Sequence, residues 1–111
     1  MQRLSQFSFH QTLADTHGIT LVIFTGPACG ACRRLKAVLE GSGDLFADLQ
    51  LFEVDAGDDL ALTREFDVFH LPAMFLFSDG AYHCELHGEA QPERLRTAID
   101  AALAAPPEEA P

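Results

Sequence analysis

The order of apolar segments predicts an α/β protein with a mixed central β-sheet flanked by helices on both faces. Three observations support this prediction: two continuously apolar runs, an Asp-Gly turn between two strand-like segments, and an amphipathic helix near the end of the sequence. Continuously apolar runs are typical of strands buried on both faces, and an Asp-Gly turn indicates an antiparallel hairpin. Alternating strands and helices then favour a layered α/β architecture.

The first apolar run leads directly to a pair of cysteines. Residues Ile19 to Thr25 are apolar or β-branched throughout, which predicts a buried strand, and Gly26-Pro27 ends it. An amphipathic helix follows and stops at the glycine-rich residues 41–43. Cys29 is therefore predicted at the N-terminus of this helix, and Cys32 in its first turn.

The segments on either side of this unit are more weakly patterned. Ser5 to Phe9 is interpreted as a short strand, and His10 to His17 as a short helix. After the cysteine helix, Leu49 to Val54 is predicted as a strand. Asp58 or Asp59 is expected to cap a further short helix.

The last part of the sequence supplies the hairpin and the final helix. Ala73 to Phe77 is the second apolar run, and Asp79-Gly80 connects it to a strand over Ala81 to His87. Pro92 suits the first turn of a helix whose apolar residues recur at spacings of three and four. The predicted element order is therefore β-α-β-α-β-α-β-β-α.

Length and composition limit the chain to one domain and exclude several functions. We place one core over residues 1–104 of the 111, and a flexible tail rich in proline and glutamate over 105–111. A net charge of −10 with seven basic residues argues against nucleic acid as a partner. No apolar run approaches the roughly 20 residues of a membrane span, and the first residues lack a signal-peptide pattern. We expect a monomer with no membrane partner.

The cysteines indicate redox chemistry in a reducing compartment. Three cysteines, an odd number, fit a secreted disulfide framework poorly, so we expect a cytoplasmic protein. At a helix start, unpaired N–H groups and the positive end of the helix dipole stabilise a thiolate at Cys29. Arg33, Arg34 and Lys36 add positive charge nearby.

The chain resembles the thioredoxin family over essentially its whole length. The resemblance rests on Cys29-Gly30-Ala31-Cys32 between a buried strand and a helix, on Leu71-Pro72 about 40 residues later, and on the hairpin that follows. It implies the thioredoxin fold and a thiol–disulfide oxidoreductase that acts on protein substrates in cell redox homeostasis. It implies no cofactor, and a thioredoxin reductase is a candidate partner.

The resemblance also implies a mechanism and a substrate groove. Cys29 attacks a substrate disulfide and Cys32 resolves the mixed disulfide, which agrees with the greater exposure expected at a helix start. The Leu71-Pro72 bond is expected to be cis, with the proline facing the dithiol. The implied groove residues are Pro27, Ala28, Gly30, Ala31, His70, Leu71, Pro72 and Gly88.

Several residues depart from the usual family pattern. Ile23 stands in place of a buried aspartate and Leu51 in place of a lysine, so the usual proton relay is missing. Without the carboxylate we expect a more oxidising disulfide than in thioredoxins, and slower resolution by Cys32. His70 is a candidate to stabilise the Cys29 thiolate, the alternative being a solvated loop histidine. These departures keep open a second function, a thioredoxin-like binding module with slow or no redox turnover.

A structural zinc site is the main competing chemistry for the cysteines. Cys29 and Cys32 with His83 and His87 would supply two thiolates and two imidazoles. Four residues along a strand separate the two histidines by roughly 13 Å, too far for both to bind one ion. We therefore expect no metal.

The remaining candidates receive structural interpretations. Alternation places Tyr82, Cys84 and Leu86 on one strand face, where Cys84 acts as a small hydrophobe. Phe66 and Phe69 are expected to be buried rather than to form a patch beside the groove. Four acidic residues are interpreted as a solvated rim and helix cap rather than a cation site. These are Glu53, Asp55, Asp58 and Asp59.

Overall fold

A computed structural model describes the whole chain, Met1 to Pro111, as five strands and four α-helices. In chain order they are β1 (Gln2–Arg3), α1 (Phe9–Ala14), β2 (Ile19–Thr25), α2 (Gly30–Gly41), β3 (Leu49–Asp55), α3 (Leu60–Glu65), β4 (Ala73–Ser78), β5 (Ala81–Leu86) and α4 (Pro92–Ala104). A 3₁₀ turn, Gly43–Phe46, follows α2. None of the helices combines the length and the apolar character that crossing a membrane needs.

The strands form one mixed sheet in the order β1-β3-β2-β4-β5. β3 pairs in parallel with β1 and with β2, whereas β4 runs antiparallel to both β2 and β5. The predicted α/β class and the predicted hairpin are therefore confirmed. The central strand β2 is hydrogen-bonded on both sides, and residues 20–25 are all buried, which explains its continuously apolar sequence.

Helices cover both faces of the sheet, and the two faces have different cores. On the face covered by α1 and α3, phenylalanines dominate the buried cluster. On the other face, aliphatic residues of α2 and α4 pack against β2, β4 and β5. Ile23 belongs to this second cluster, and Leu51 packs at its edge. The dithiol helix α2 therefore lies on the aliphatic face, above the strand that leads into it.

The N-terminal segment differs from its prediction. Ser5 to Phe9 is not a strand: the Ser5 carbonyl accepts hydrogen bonds from the backbone N–H groups of Ser8 and Phe9. The Ser5 hydroxyl also accepts from the N–H of Phe7 at 3.2 Å. Serine side chains that bond to local backbone compete with strand pairing. The strand is confined to Gln2–Arg3, and the helix extends over Phe9–Ala14 rather than His10 to His17.

Asp59 stands at the N-cap position of α3, but its side chain makes no cap hydrogen bond there. Its carboxylate instead accepts from the backbone N–H of Gln6 at 2.9 Å. The prediction is therefore confirmed for the position of Asp59 and wrong for the hydrogen bond that a capping side chain makes. This hydrogen bond ties the N-terminal turn to α3. Asp59 is also buried, so it does not belong to a solvated rim.

A β-bulge interrupts the alternation of β5. Leu76 pairs with Cys84 but Phe77 pairs with Tyr82, so His83 is an extra residue on β5. Tyr82 consequently packs against the phenylalanine-rich cluster, whereas Cys84 belongs to the aliphatic one. The prediction that both share a face is wrong, and the prediction that Cys84 acts as a small hydrophobe is confirmed.

The residues after α4 return along the edge of the sheet. The backbone N–H of Glu108 donates to the carbonyl of His83 at 2.7 Å. Ala110 and Pro111 then line a cavity of about 180 Å³ together with Phe9 of α1. The side chains after α4 are exposed, and the flexibility of the tail stays a prediction.

Candidate redox site

Cys29 and Cys32 form a disulfide at the start of α2. Cys29 is the N-cap residue with extended backbone angles, φ −102° and ψ 100°. The backbone N–H of Cys32, one of the donors left unpaired at a helix start, donates to Sγ of Cys29 at 3.1 Å. This donor and the helix dipole both favour negative charge on the Cys29 sulfur after reduction.

The two cysteines differ in exposure. Cys32 lies inside the first turn and is 2% exposed, whereas Cys29 is half-buried. Cys29 is thus the more exposed of the two cysteines, as expected for the start of a helix. The assignment of nucleophile and resolving cysteine stays a prediction.

The loop before β4 approaches the turn that precedes the dithiol. The Leu71–Pro72 peptide bond is cis. Leu71 packs so closely against Gly26 that a Cβ atom there would lie 2.8 Å from Leu71 Cδ1. The Leu71 side chain thus lies against the turn that precedes the disulfide.

The predicted groove residues are distributed over three neighbouring cavities. Ala31, Pro72 and Gly88 line one of about 310 Å³. Pro72 also lines a second cavity with His70, and neither cysteine lines the first or the second cavity. Pro27 and Ala28 line a third, together with Cys32. Gly30 is exposed beside them. The third cavity is thus the one that joins predicted groove residues to the disulfide, and the substrate-binding roles of all these residues stay predictions.

His70 and Phe69 occupy the exposed tip of the loop that follows α3. Phe66 is buried among other aromatic rings, as predicted, with its ring 5.4 Å from that of Phe9. Phe69 is 88% exposed, so its predicted burial is wrong. Asp67, with φ 51°, turns the chain outward between them. His70 is exposed as well, which agrees with a solvated loop histidine.

A buried charge cluster lies beneath the first turns of α2. Glu53 of β3 is 6% exposed and pairs in register with Ile23 of β2. Its Oε2 accepts from Thr25 Oγ1 at 2.6 Å, and Lys36 Nζ lies 2.9 and 3.1 Å from its two carboxylate oxygens. The predicted solvated rim is therefore wrong for Glu53. Ile23 occupies the position of the family's aspartate, as predicted, and the buried carboxylate in this part of the sheet belongs instead to its register partner Glu53.

The environment of Glu53 keeps its carboxylate charged. Burial raises its pKa, but the hydrogen bonds from Thr25 and Lys36 and the Lys36 charge outweigh burial, so the pKa is lowered overall. Glu53 and Lys36 line the same cavity as Cys32, a cavity of about 280 Å³. The Glu53–Lys36 ion pair thus lines the same cavity as the buried cysteine.

Sequence reasoning missed this pair, although two signals were present. Glu53 shares strand alternation with Leu49 and Leu51, which places it on the face of the sheet that α2 covers. Lys36 comes four residues after Cys32 and therefore lies on the same side of the helix. Read together, they indicate a charge pair between β3 and α2.

No three His, Cys, Asp or Glu side chains converge into a metal-binding group. The four residues considered for zinc have other surroundings. Cys29 and Cys32 bond to each other, and the Nε2 atom of His83 hydrogen-bonds to the Ala102 carbonyl at 2.7 Å. His87 is exposed beside Glu85.

The mixed sheet and the Cys-Gly-Ala-Cys disulfide at a helix start define a thioredoxin-fold protein with a CxxC pair. The family model described as Thioredoxin matches residues 1–101. The chain therefore belongs to the thioredoxin family.

Curated relatives agree with this assignment at modest identity. The chain is 30% identical over 86 residues to thioredoxin-2 of Pyricularia oryzae, which covers 78% of this chain and 50% of that protein. It is 28% identical over 84 residues to thioredoxin of Staphylococcus haemolyticus, covering 75% of this chain and 81% of that protein. Thioredoxin of Chlamydia trachomatis is 29% identical over 80 residues, with 72% and 76% covered. The chain thus spans half of the fungal relative and most of the bacterial ones.

A solved structure, described as the zinc-bound form of human ERp44, has the same fold. The TM-score is 0.73 at 16% identity, over 93% of this chain and 30% of that one. The ERp44 comparison shows the fold alone. The family match and the two bacterial thioredoxins support a thiol–disulfide oxidoreductase in general terms.

Proposed function

We propose that the protein is a thioredoxin-type protein-disulfide oxidoreductase that acts in cell redox homeostasis. One observation carries the proposal: a half-exposed Cys29 is bonded to a buried Cys32 at a helix start, where a backbone N–H already points at the Cys29 sulfur. This geometry lowers the free energy of a thiolate at the position that a substrate reaches first.

In the proposed reaction the reduced protein acts as the nucleophile. The Cys29 thiolate attacks one sulfur of a substrate disulfide, a mixed disulfide forms, and the other substrate sulfur leaves as a thiolate. Cys32 then loses its proton and attacks the Cys29 sulfur, which releases the second substrate thiol. The substrate is reduced by two electrons, and the protein is left with the Cys29–Cys32 disulfide.

We propose that the substrate is a protein segment lying across the loops around the disulfide. The cavity lined by Ala31, Pro72 and Gly88 offers a mixed apolar and polar surface beside the helix start. The other residues proposed to contact the segment are Pro27, Ala28, Gly30, His70 and Leu71. A thioredoxin reductase is the proposed electron donor.

We further propose that the protein acts as a cytoplasmic monomer. The observation that supports the cytoplasmic location is the third cysteine, Cys84, which is a free thiol buried in the core. A free thiol is more readily maintained where thiols are kept reduced.

The proposal is tested by turnover and by trapping. Reduced protein should reduce a protein disulfide repeatedly when a thioredoxin reductase and NADPH are supplied. The Cys32→Ser variant should accumulate mixed disulfides with client proteins, visible on non-reducing gels, because attack remains possible and resolution does not. Cys29→Ser is the matched control and should trap none.

A second candidate function is a binding module that cycles its cysteines slowly or not at all. The observation that favours it is Phe69, 88% exposed on the cavity that Pro72 also lines. If Cys32→Ser traps no more protein than Cys29→Ser, and the wild-type protein shows no turnover, the oxidoreductase proposal fails and this function replaces it.

A further inference from the structure

The Glu53–Lys36 ion pair connects strand β3 to helix α2, which carries both cysteines. The Glu53 side chain is 8% exposed and that of Lys36 34%. Both line the cavity that Cys32 also lines. A buried carboxylate is retained only where a partner compensates its desolvation, and here the partner comes from the helix that carries both cysteines.

We infer that Glu53 and Lys36 form a charge-balanced positioning unit, in which each residue offsets the effect that the other has on the acidity of the Cys29–Cys32 thiols and, through it, on the reduction potential of the disulfide. The inference rests on the proposed redox function and deepens it. Neither residue touches the reacting sulfur in this role: both act through the electric field at Cys32.

The physical argument concerns the charge that remains when one partner is removed. A carboxylate near a thiol disfavours the thiolate by like-charge repulsion, and an ammonium group favours it. As a pair, with Nζ 2.9 and 3.1 Å from the two carboxylate oxygens, the two effects largely cancel at Cys32. In a site of reduced dielectric constant, loss of either partner leaves an unbalanced unit charge.

The other charged groups that face this cavity are Arg3 of β1, Asp55 of β3 and Arg33 of α2. Arg3 lies 3.7 Å from Asp55, so these two also balance, and the Arg3 side chain is 57% exposed. Arg33 is exposed. Solvent screens exposed charges more strongly than buried ones, so the buried Glu53 and its partner dominate the field at Cys32.

Thiol acidity is linked to the potential because thiolate exists only in the reduced protein. Reduction of the disulfide takes up two electrons and two protons, or one proton where one cysteine remains a thiolate. A change that stabilises the thiolate therefore stabilises the reduced protein and makes the disulfide more oxidising. Because the two thiols interact, their apparent pKa values belong to the pair.

The experiment compares four variants that change charge with little change in shape. Glu53→Gln, Lys36→Met, the double variant and Asp48→Asn are each reduced and titrated by thiolate absorbance. The equilibrium constant with glutathione is measured for each. Asp48 forms a surface ion pair with Arg96 and serves as the matched control, because neither residue lines the cavity.

The two single substitutions should act in opposite directions. Glu53→Gln should lower the thiol pKa values and shift the glutathione equilibrium about tenfold toward the reduced protein, equivalent to about 30 mV. Lys36→Met should raise the pKa values and shift the equilibrium the other way. The double variant should return to within about threefold of the wild type, and Asp48→Asn should change neither quantity.

A purely structural role would move both single variants in the same direction, and that result, or unchanged values, would overturn the inference. Glu53→Gln retains an acceptor for Thr25, so it is the variant expected to fold. If Lys36→Met unfolds, Glu53→Gln is compared with the double variant. A shift of Glu53→Gln toward the reduced protein relative to the double variant supports the inference, and no shift or the opposite shift overturns it. Absence of protein-disulfide turnover in the wild type would overturn the proposed function alone, because thiol titration does not depend on turnover.

Discussion

Cys29 and Cys84 carry the same side chain in opposite settings. Cys29 stands half-buried at a helix start and receives the N–H of Cys32 at 3.1 Å. Cys84 is 6% exposed among aliphatic residues of the core. There, burial and the negative charge of Glu108 raise the pKa of the Cys84 thiol. The difference teaches that placement relative to the helix start, rather than residue type, makes a thiol available for chemistry.

The comparison predicts its largest effect in turnover. Cys29→Ser should reduce protein-disulfide turnover by on the order of 10³-fold or more, because the attacking sulfur is lost. Cys84→Val should leave turnover within about twofold, because it replaces one buried apolar group by another. Rates measured with a thioredoxin reductase would show this. A large loss in Cys84→Val that is folded would mean that Cys84 takes part in the redox cycle.

Substitutions of Cys84 should change the stability of the protein, although they should hardly change its turnover. Cys84→Ser places a hydroxyl among aliphatic side chains and should lower the free energy of unfolding by about 1–3 kcal/mol. Cys84→Val, of similar volume, should cost less than about 1.5 kcal/mol. Urea unfolding of reduced proteins measures both. Equal losses would indicate that the polarity of residue 84 is unimportant.

The carboxylate of Glu53 is buried, as is the thiol of Cys84, but its pKa is shifted in the opposite direction. The pKa of Glu53 is lowered in the folded protein. Its contribution to stability is therefore complete above the unfolded pKa and is lost as pH falls through the folded pKa. Glu53→Gln should lower the free energy of unfolding at pH 7 by about 1–2 kcal/mol. The difference from wild type should shrink at pH values below 4.5, the ordinary value for this group.

Thermal unfolding at several pH values would measure this dependence. Asp48→Asn is a useful control, since the hydrogen bond from Arg96 lowers the pKa of Asp48 on an exposed surface. Its effect on stability should be smaller, because exposed ion pairs contribute little. A difference for Glu53→Gln that grows on acidification would contradict the assigned direction of the pKa shift.

The smallest expected effect concerns the residue before the reactive cysteine. Ala28 has φ 56°, a left-handed conformation that costs a non-glycine residue roughly 1 kcal/mol. Ala28→Gly relieves this cost but makes the unfolded chain more flexible, so the net change should be within about 0.5 kcal/mol. Unfolding curves and the alkylation rate of Cys29 would test it. A large change in rate would show that the strained backbone positions the cysteine.

The elements predicted from sequence were those whose pattern is local. The run Ile19–Thr25, the Asp-Gly turn and the amphipathic helix from Pro92 each carry their signal within a few residues, and all three are present. The cysteine pair was placed correctly at the start of α2 for the same reason. Spacing within one helix is enough to predict it.

The errors occurred where distant residues decide the outcome. Glu53 is buried because Lys36 and Thr25, on two other elements, compensate its charge. The Asp59 side chain accepts a hydrogen bond from the backbone of Gln6, more than 50 residues away, instead of one from its own helix. The bulge at His83 reverses the alternation of strand faces, and no glycine or proline in the strand indicates its position in the sequence. Such features follow from packing between elements, which one-dimensional patterns do not contain.

The most direct test of the account is the order in which the three thiols react. Reduced, folded protein is treated briefly with iodoacetamide near pH 7, and the labelled positions are mapped by mass spectrometry. The account predicts that Cys29 is labelled first, at a rate that corresponds to a pKa below the value of about 8.5 for free cysteine. Cys32 and Cys84 should react only after denaturation. Labelling led by Cys84 or by Cys32 would contradict it.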